Sequence, residues 1–237
     1  MTASRPNDRG RAVLFDLGGV VCTFSPDTRL AVLARASGLT PAEVHRRLFE
    51  SGFDLASDRG DYSLEQQWME IRSRLDLTSS PLQLAGFWAQ AFSPNSHVLD
   101  VVSHVRSSAV TAVLTNNGPL VRMMINEYFP DIAARIDHLC FSYEVTATKP
   151  DPHAYLATLK RLNVTPDLCL FVDDAESNVR GARSVGIDAI QFVDSPALAN
   201  ELHQRQLLRA AGASLSSLLG VNALPSSHKA PDSVRCV

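Results

Sequence analysis

The apolar positions of the chain change period twice. Ala12-Val13-Leu14-Phe15 is a continuous apolar run that ends in Asp16 and then Gly18-Gly19, the pattern of a strand buried on both faces that stops at a glycine turn. Over 26–92 the apolar residues recur at helical spacing instead. Three helix starts are signposted there: Thr40-Pro41-Ala42-Glu43, Ser63-Leu64-Glu65-Gln66 and Ser80-Pro81-Leu82-Gln83 each place a hydroxyl three residues before Glu or Gln. This is the capping-box pattern, with Pro at the first helical position in the first and third. Beyond this block short apolar strands alternate with helices. Strands are predicted over 110–114, His138–Phe141, 168–172 and 189–193; helices over 119–127 and 177–185, with further starts at Asp151-Pro152 and Ser195-Pro196. Such alternation predicts an α/β fold, a parallel sheet with helices on both faces and a small helical block inserted after the first strand. The α/β core is expected over 11–25 and 93–220, the helical unit over 26–92, and polar tails over 1–10 and 221–237.

Composition narrows the function classes. The 237 residues are 45% hydrophobic and 20% charged, enough for one domain with an insertion and a sizeable core. A formal net charge of -3 gives no basic field for nucleic acid or anionic membrane, which leaves small-molecule chemistry. The apolar runs fall far short of the ~20 residues that span a bilayer. The first ten residues are polar, include Asp8 and lack the apolar stretch of a secretory signal, so a cytoplasmic protein is expected. Four cysteines without a close pair suggest neither a zinc site nor a disulfide framework. Cys140 and Cys169 read as small buried hydrophobes, and Cys22 stands shortly after Asp16, near the mouth of any site there. The seven histidines show no metal-binding spacing.

Four strand ends carry polar residues: Asp16; Thr115-Asn116-Asn117; the segment reaching Lys149-Pro150; and Asp173-Asp174. In a parallel sheet all four face one crevice, where ligands of such folds bind. Each alone has a plainer reading: a strand-end cap, a turn, a solvated lysine, a loop. Together they bring carboxylates, which are hard ligands suited to magnesium, to a hydroxyl and an ammonium that donate to phosphate oxygens. Two adjacent carboxylates also repel unless a cation lies between them.

These residues resemble a known family. Val13-Leu14-Phe15-Asp16-Leu17-Gly18-Gly19-Val20-Val21 resembles the first motif of haloacid dehalogenase-like hydrolases, and Val113-Leu114-Thr115-Asn116 the second. Lys149-Pro150-Asp151-Pro152 followed by Tyr155 resembles the third, and Leu170-Phe171-Val172-Asp173-Asp174 with Asn178, Ala182, Gly186 and Ile187 the fourth. The resemblance covers about residues 11–190. It implies a Rossmann-like sheet under a small helical cap, and a magnesium-dependent hydrolase of small phosphorylated metabolites. By the same resemblance Asp16 is the nucleophile, forming an aspartyl phosphate. Thr115, the Asn116 backbone and Lys149 hold phosphoryl oxygens. Asp16, the Gly18 carbonyl and Asp174 bind magnesium, with Asp173 in support and Asn178 ordering the turn. A receiver domain also groups Asp, Thr and Lys around magnesium, but it carries its acidic pair on the first strand, whereas here the pair comes last.

Gly18 departs from the pattern of many phosphatases of the superfamily, which carry a second Asp there as general acid and base. The Asp-Leu-Gly form resembles a branch that includes sugar-phosphate phosphatases and the phosphatase-like N-terminal domain of epoxide hydrolase. Two alternatives stay open: a haloacid dehalogenase-like hydrolase, which needs no proton for a leaving halide, and a poorly active phosphate-binding regulatory protein. Trp68 and Trp88 read as core of the cap helices. Asp54, Asp58 and Asp61 read as solvated carboxylates in a loop between cap helices, with the sharper alternative that one of them dips over the site, since a cap loop is where substrate selection would reside.

Overall fold

A computed structural model describes residues 10–208. Apart from Gly10 the expected tails lie outside these residues, as does 209–220 of the expected core. Five strands form one parallel sheet in the order β5-β4-β1-β6-β7: β1 Ala12–Phe15, β4 Val110–Thr115, β5 His138–Phe141, β6 Cys169–Asp173 and β7 Asp188–Gln191. β1 is central, paired along both edges with β4 and β6, and helices cover both its faces. Alternate side chains therefore enter different cores. Ala12 and Leu14 pack with Tyr155 and Leu159 of α9 (Pro152–Leu162) and Val179 and Ala182 of α10 (Glu176–Ser184). Val13 and Phe15 join the opposite core, to which α6 (Ser96–Val105), α7 (Pro119–Tyr128) and α11 (Ser195–Gln204) contribute. The predicted parallel sheet with helices on both faces is thus found.

The inserted block holds α1 Pro26–Ser37, α2 Pro41–His45, α3 Phe53–Asp58, α4 Leu64–Leu75 and α5 Pro81–Ala89, with a π-helical turn over Arg46–Glu50 after α2. All three capping boxes form. Thr40, Ser63 and Ser80 accept the backbone N–H three residues on, and Glu43, Gln66 and Gln83 accept in return. The block's core, with Val44, Ile71, Leu84 and Trp88, is continuous with that of the α7 face. A buried side chain ties the two together: Gln67 Oε1 accepts the Leu120 N–H at 2.9 Å, serving the start of α7, where Gly118 offers no side-chain cap.

Four elements were not predicted. A two-stranded antiparallel ribbon, β2 Cys22–Phe24 with β3 Phe92–Pro94, closes the base of the inserted block; strands of three residues leave no periodic trace. Helix α6 carries a valine-rich run that favours strand on propensity alone, and α8 (Pro130–Arg135) is a six-residue helix. Asp54 and Asp58 lie on helix α3, not in a loop. Its start at Gly52, in the left-handed region (φ 77°) and without a capping hydroxyl, gives no sequence signal.

Candidate active site

The β1 end is held into the sheet by the Asp16 N–H, which donates to Val172 O at 2.8 Å. The chain then turns tightly, with Cys22 N–H donating to Leu17 O and Gly19 N–H to Cys22 O, each at 2.7 Å. Asp16 is buried and meets the buried Lys149, whose Nζ donates to Asp16 Oδ1 and to Asp173 Oδ2, both at 2.7 Å. Burial pushes the Asp16 carboxyl up to about 6, with the Lys149 ammonium opposing and the Asp173 charge adding. Burial works against the Lys149 ammonium, but its two carboxylate partners outweigh that and raise its pKa. The net effect is an ammonium fixed as a cation between two acids.

Lys149 is itself located by Asn116. The Asn116 Nδ2 donates to Lys149 O and Lys149 N–H donates to Asn116 Oδ1, both at 2.8 Å. Thr115, at the end of β4, accepts from Asn117 Nδ2 at 2.7 Å, and the Asn117 N–H donates to Ser142 Oγ at 3.0 Å. Buried Ser142 donates in turn to Asp58 O at 2.6 Å, so one hydroxyl joins the β4 loop to the end of α3. Sequence reading missed Ser142 and Gln67. Neither lies in a motif, and their worth comes from groups distant in sequence.

Asp16, Asp173 and Asp174 each offer a carboxylate oxygen within 4.8 Å of the others, a hard-oxygen set that fits one magnesium ion. Their roles differ. Asp173 already accepts from Lys149, from Asn178 Nδ2 at 3.1 Å and from Ala175 N–H at 2.8 Å. The exposed Asp174 carboxylate has no such partner among the described residues and lies against Gly19. A Cβ on Gly19 would stand 2.4 Å from Asp174 Oδ2, and Gly19 has φ 95°, so only glycine suits that position. Gly18 is unlike it: φ is not left-handed there, and a Cβ would meet Phe24 at an ordinary 3.6 Å.

One cavity of about 230 Å³ joins these strand ends to the inserted block. Asp16, Gly18, Thr115, Asn116, Lys149 and Asn178 line one side; Arg29, Asp54 and Asp58 line the other, with Phe24. Asp54 and Asp58 thus reach the site, and Asp61 is not among the lining residues. Burial raises the carboxyls of both and lowers the Arg29 guanidinium. Cys22 is buried, and burial together with the Asp16 charge pushes its thiol up to about 12, so it is no thiolate at neutral pH. Trp88 is core, and partly buried Trp68 donates its Nε1–H to Ser79 O at 2.9 Å. Among the described residues no helix is long and apolar enough to cross a membrane.

The sequence profile described as haloacid dehalogenase-like hydrolase matches residues 11–186. The chain is 26% identical to the phosphorylated carbohydrates phosphatase of Thermotoga maritima over 187 residues, 77% of this chain and 84% of that protein. It is also 26% identical to the D-ribitol-5-phosphate phosphatase of Bacteroides thetaiotaomicron, covering 76% of this chain and 90% of that one. In fold it is similar to a haloacid dehalogenase family enzyme of Bacteroides thetaiotaomicron solved with magnesium and inorganic phosphate, with a TM-score of 0.63 and 20% identity over 76% of this chain and 93% of the other. The chain belongs to the haloacid dehalogenase-like hydrolase family.

Proposed function

We propose that the chain is a magnesium-dependent phosphatase of small phosphorylated metabolites, sugar phosphates among them, that works through an aspartyl phosphate on Asp16. The observation that carries this reading is the grouping of three carboxylate oxygens within 4.8 Å, with Lys149 Nζ 2.7 Å from Asp16 Oδ1, where Asp16 and Lys149 line a cavity together with Thr115 and Asn116. The named activities of the two relatives support it.

In this reading Asp16 attacks phosphorus, an O–P bond forms, and the bond to the leaving oxygen breaks. Lys149, Thr115 and the Asn116 backbone hold the phosphoryl oxygens and balance their charge. Water then attacks the aspartyl phosphate, releasing inorganic phosphate and regenerating Asp16. Asp16, Asp174 and the Gly18 carbonyl would hold magnesium, with Asp173 orienting Lys149 beside it; the ion would neutralise charge on the transferring group. Residues 26–92 act as a cap over a core whose described part is 11–25 and 93–208. The acidic pair favours phosphate over halide, because displacement of halide by a carboxylate calls for no cation.

Phosphate release from a panel of metabolite esters, with and without magnesium, tests the reading. The expected result is release that chelation stops and Asp16→Asn abolishes in a folded protein. Magnesium-independent release of chloride from a 2-haloacid, with no phosphate release, would overturn it.

A further inference from the structure

The cavity wall opposite Asp16 has a charge pattern that phosphoryl transfer does not use. Arg29 projects from α1, with its guanidinium carbon 5.0 Å from the Phe24 ring centre and 4.3 Å from that of Phe49. Stacking between two rings fixes its position. It is not saturated by ion pairing: its nearest carboxylate oxygen, Asp54 Oδ2, is 4.0 Å away, and its Nε has no hydrogen-bond partner among the described residues. The Asp54 carboxylate accepts no hydrogen bond among the described residues, and the nearby Gly118 backbone N–H only partly offsets the burial that raises the Asp58 carboxyl. Two carboxylates against one guanidinium leave an excess of acceptors and of negative charge.

Such a wall is complementary to hydroxyl groups, which donate to carboxylates and accept from a guanidinium. It is not complementary to a second phosphate or carboxylate, which would meet two like charges in a partly desolvated site. The cavity, at about 230 Å³, is smaller than the ~300 to 1,000 Å³ of drug-sized pockets, which suits a small leaving group. We propose that Arg29, Asp54 and Asp58 form a leaving-group subsite that selects a neutral polyhydroxylated moiety, a polyol or monosaccharide, and rejects substrates with a second anionic group. This rests on the phosphatase reading above, whose phosphoryl site it adjoins.

The test compares three probes with magnesium on the full chain: a pentitol monophosphate, a pentose bisphosphate and phenyl phosphate. The wild type is expected to favour the pentitol ester over the bisphosphate by ~100-fold or more in kcat/KM, since unpaired buried polar groups and like charges both penalise the wrong ligand. In Asp54→Asn and Asp58→Asn the pentitol-to-phenyl ratio of kcat/KM falls ~10-fold or more, and the relative rate on the bisphosphate rises. Asp54→Asn, on the same wall, gives the same readout independently of Asp58. An unmoved ratio in a folded variant, or equal turnover of bisphosphate and monophosphate by the wild type, overturns the subsite alone. No phosphate release from any of the three overturns the phosphatase reading and the subsite with it.

Discussion

Asn116 and Lys149 are joined by two reciprocal 2.8 Å hydrogen bonds, side-chain amide to backbone in both directions, across the loops that follow β4 and β5. The amide thereby fixes the backbone from which the Lys149 ammonium reaches Asp16. Asn116→Ala removes both bonds while leaving Asp16, Lys149 and the carboxylate group chemically intact. Misplacement of a reacting group by about 1 Å costs ~100-fold, so a fall in kcat of ~10- to 100-fold is expected. Steady-state kinetics alongside circular dichroism would check it; full activity in Asn116→Ala would mean that Lys149 is held by its carboxylate partners alone.

The two glycines of the turn should behave differently. Gly19 has φ 95° and lies where a Cβ would overlap the Asp174 carboxylate, so Gly19→Ala must displace Asp174 or strain the turn. We expect a marked rise in the magnesium concentration needed for activity. Gly18→Ala meets only Phe24 at 3.6 Å and should keep the wild-type magnesium dependence. Titrating activity with magnesium separates them, and similar curves for the two variants would contradict the asymmetry.

Burial, with the Asp54 charge next, raises the Asp58 carboxyl well above its ordinary value. A raised acid pKa means that the folded state holds the proton more tightly than the unfolded chain does. Stability from this group is therefore full below the ordinary carboxylate range and is lost as pH rises through the raised value. Asp58→Asn removes that loss while keeping the side chain's size and an acceptor oxygen. Its Tm should exceed that of the wild type at neutral pH, and the gain should shrink as pH falls toward 4. Melting curves across that range provide the check, and a gain independent of pH would point to another cause.

The sheet was legible where a strand is an unbroken apolar run stopped by a polar residue, as in 12–16 and 169–174, whereas Lys149 lies well beyond the end of β5 at Phe141 and was legible through its motif. The cap helices announced themselves through capping boxes. What stayed hidden depends on contacts between distant segments: Gln67 serving the start of α7, Ser142 bridging Asn117 and Asp58, and Arg29 stacked between Phe24 and Phe49. Helix α3 escaped because its signal is six residues long and opens on a glycine. Its two carboxylates consequently read as loop residues, though one face of the cavity is built from them.

Gly18 provides the sharpest kinetic prediction, because the position lacks a proton donor yet has room for one. In the first half-reaction the leaving oxygen departs without a carboxylic acid at position 18, so esters of weakly basic leaving groups, anomeric sugar phosphates before simple alkyl phosphates, should be favoured. In the second half no carboxylate at that position activates the water, so hydrolysis of the aspartyl phosphate should limit turnover and the intermediate should accumulate. A burst of leaving-group release is the expected signature. Gly18→Asp places a carboxylate two residues beyond the nucleophile, and neither φ nor the 3.6 Å approach to Phe24 stands against the new Cβ. General acid–base help is worth ~10² to 10⁴ in rate where it is well placed, so a gain of ~10-fold or more in the second step is expected even from imperfect geometry. Pre-steady-state release of a chromogenic leaving group decides it: the wild type should show a burst that Gly18→Asp diminishes as its steady-state rate rises. Absence of a burst in the wild type together with an unchanged steady-state rate in Gly18→Asp would mean that another group, with Asp54 and Asp58 on the facing wall the candidates, already carries the proton.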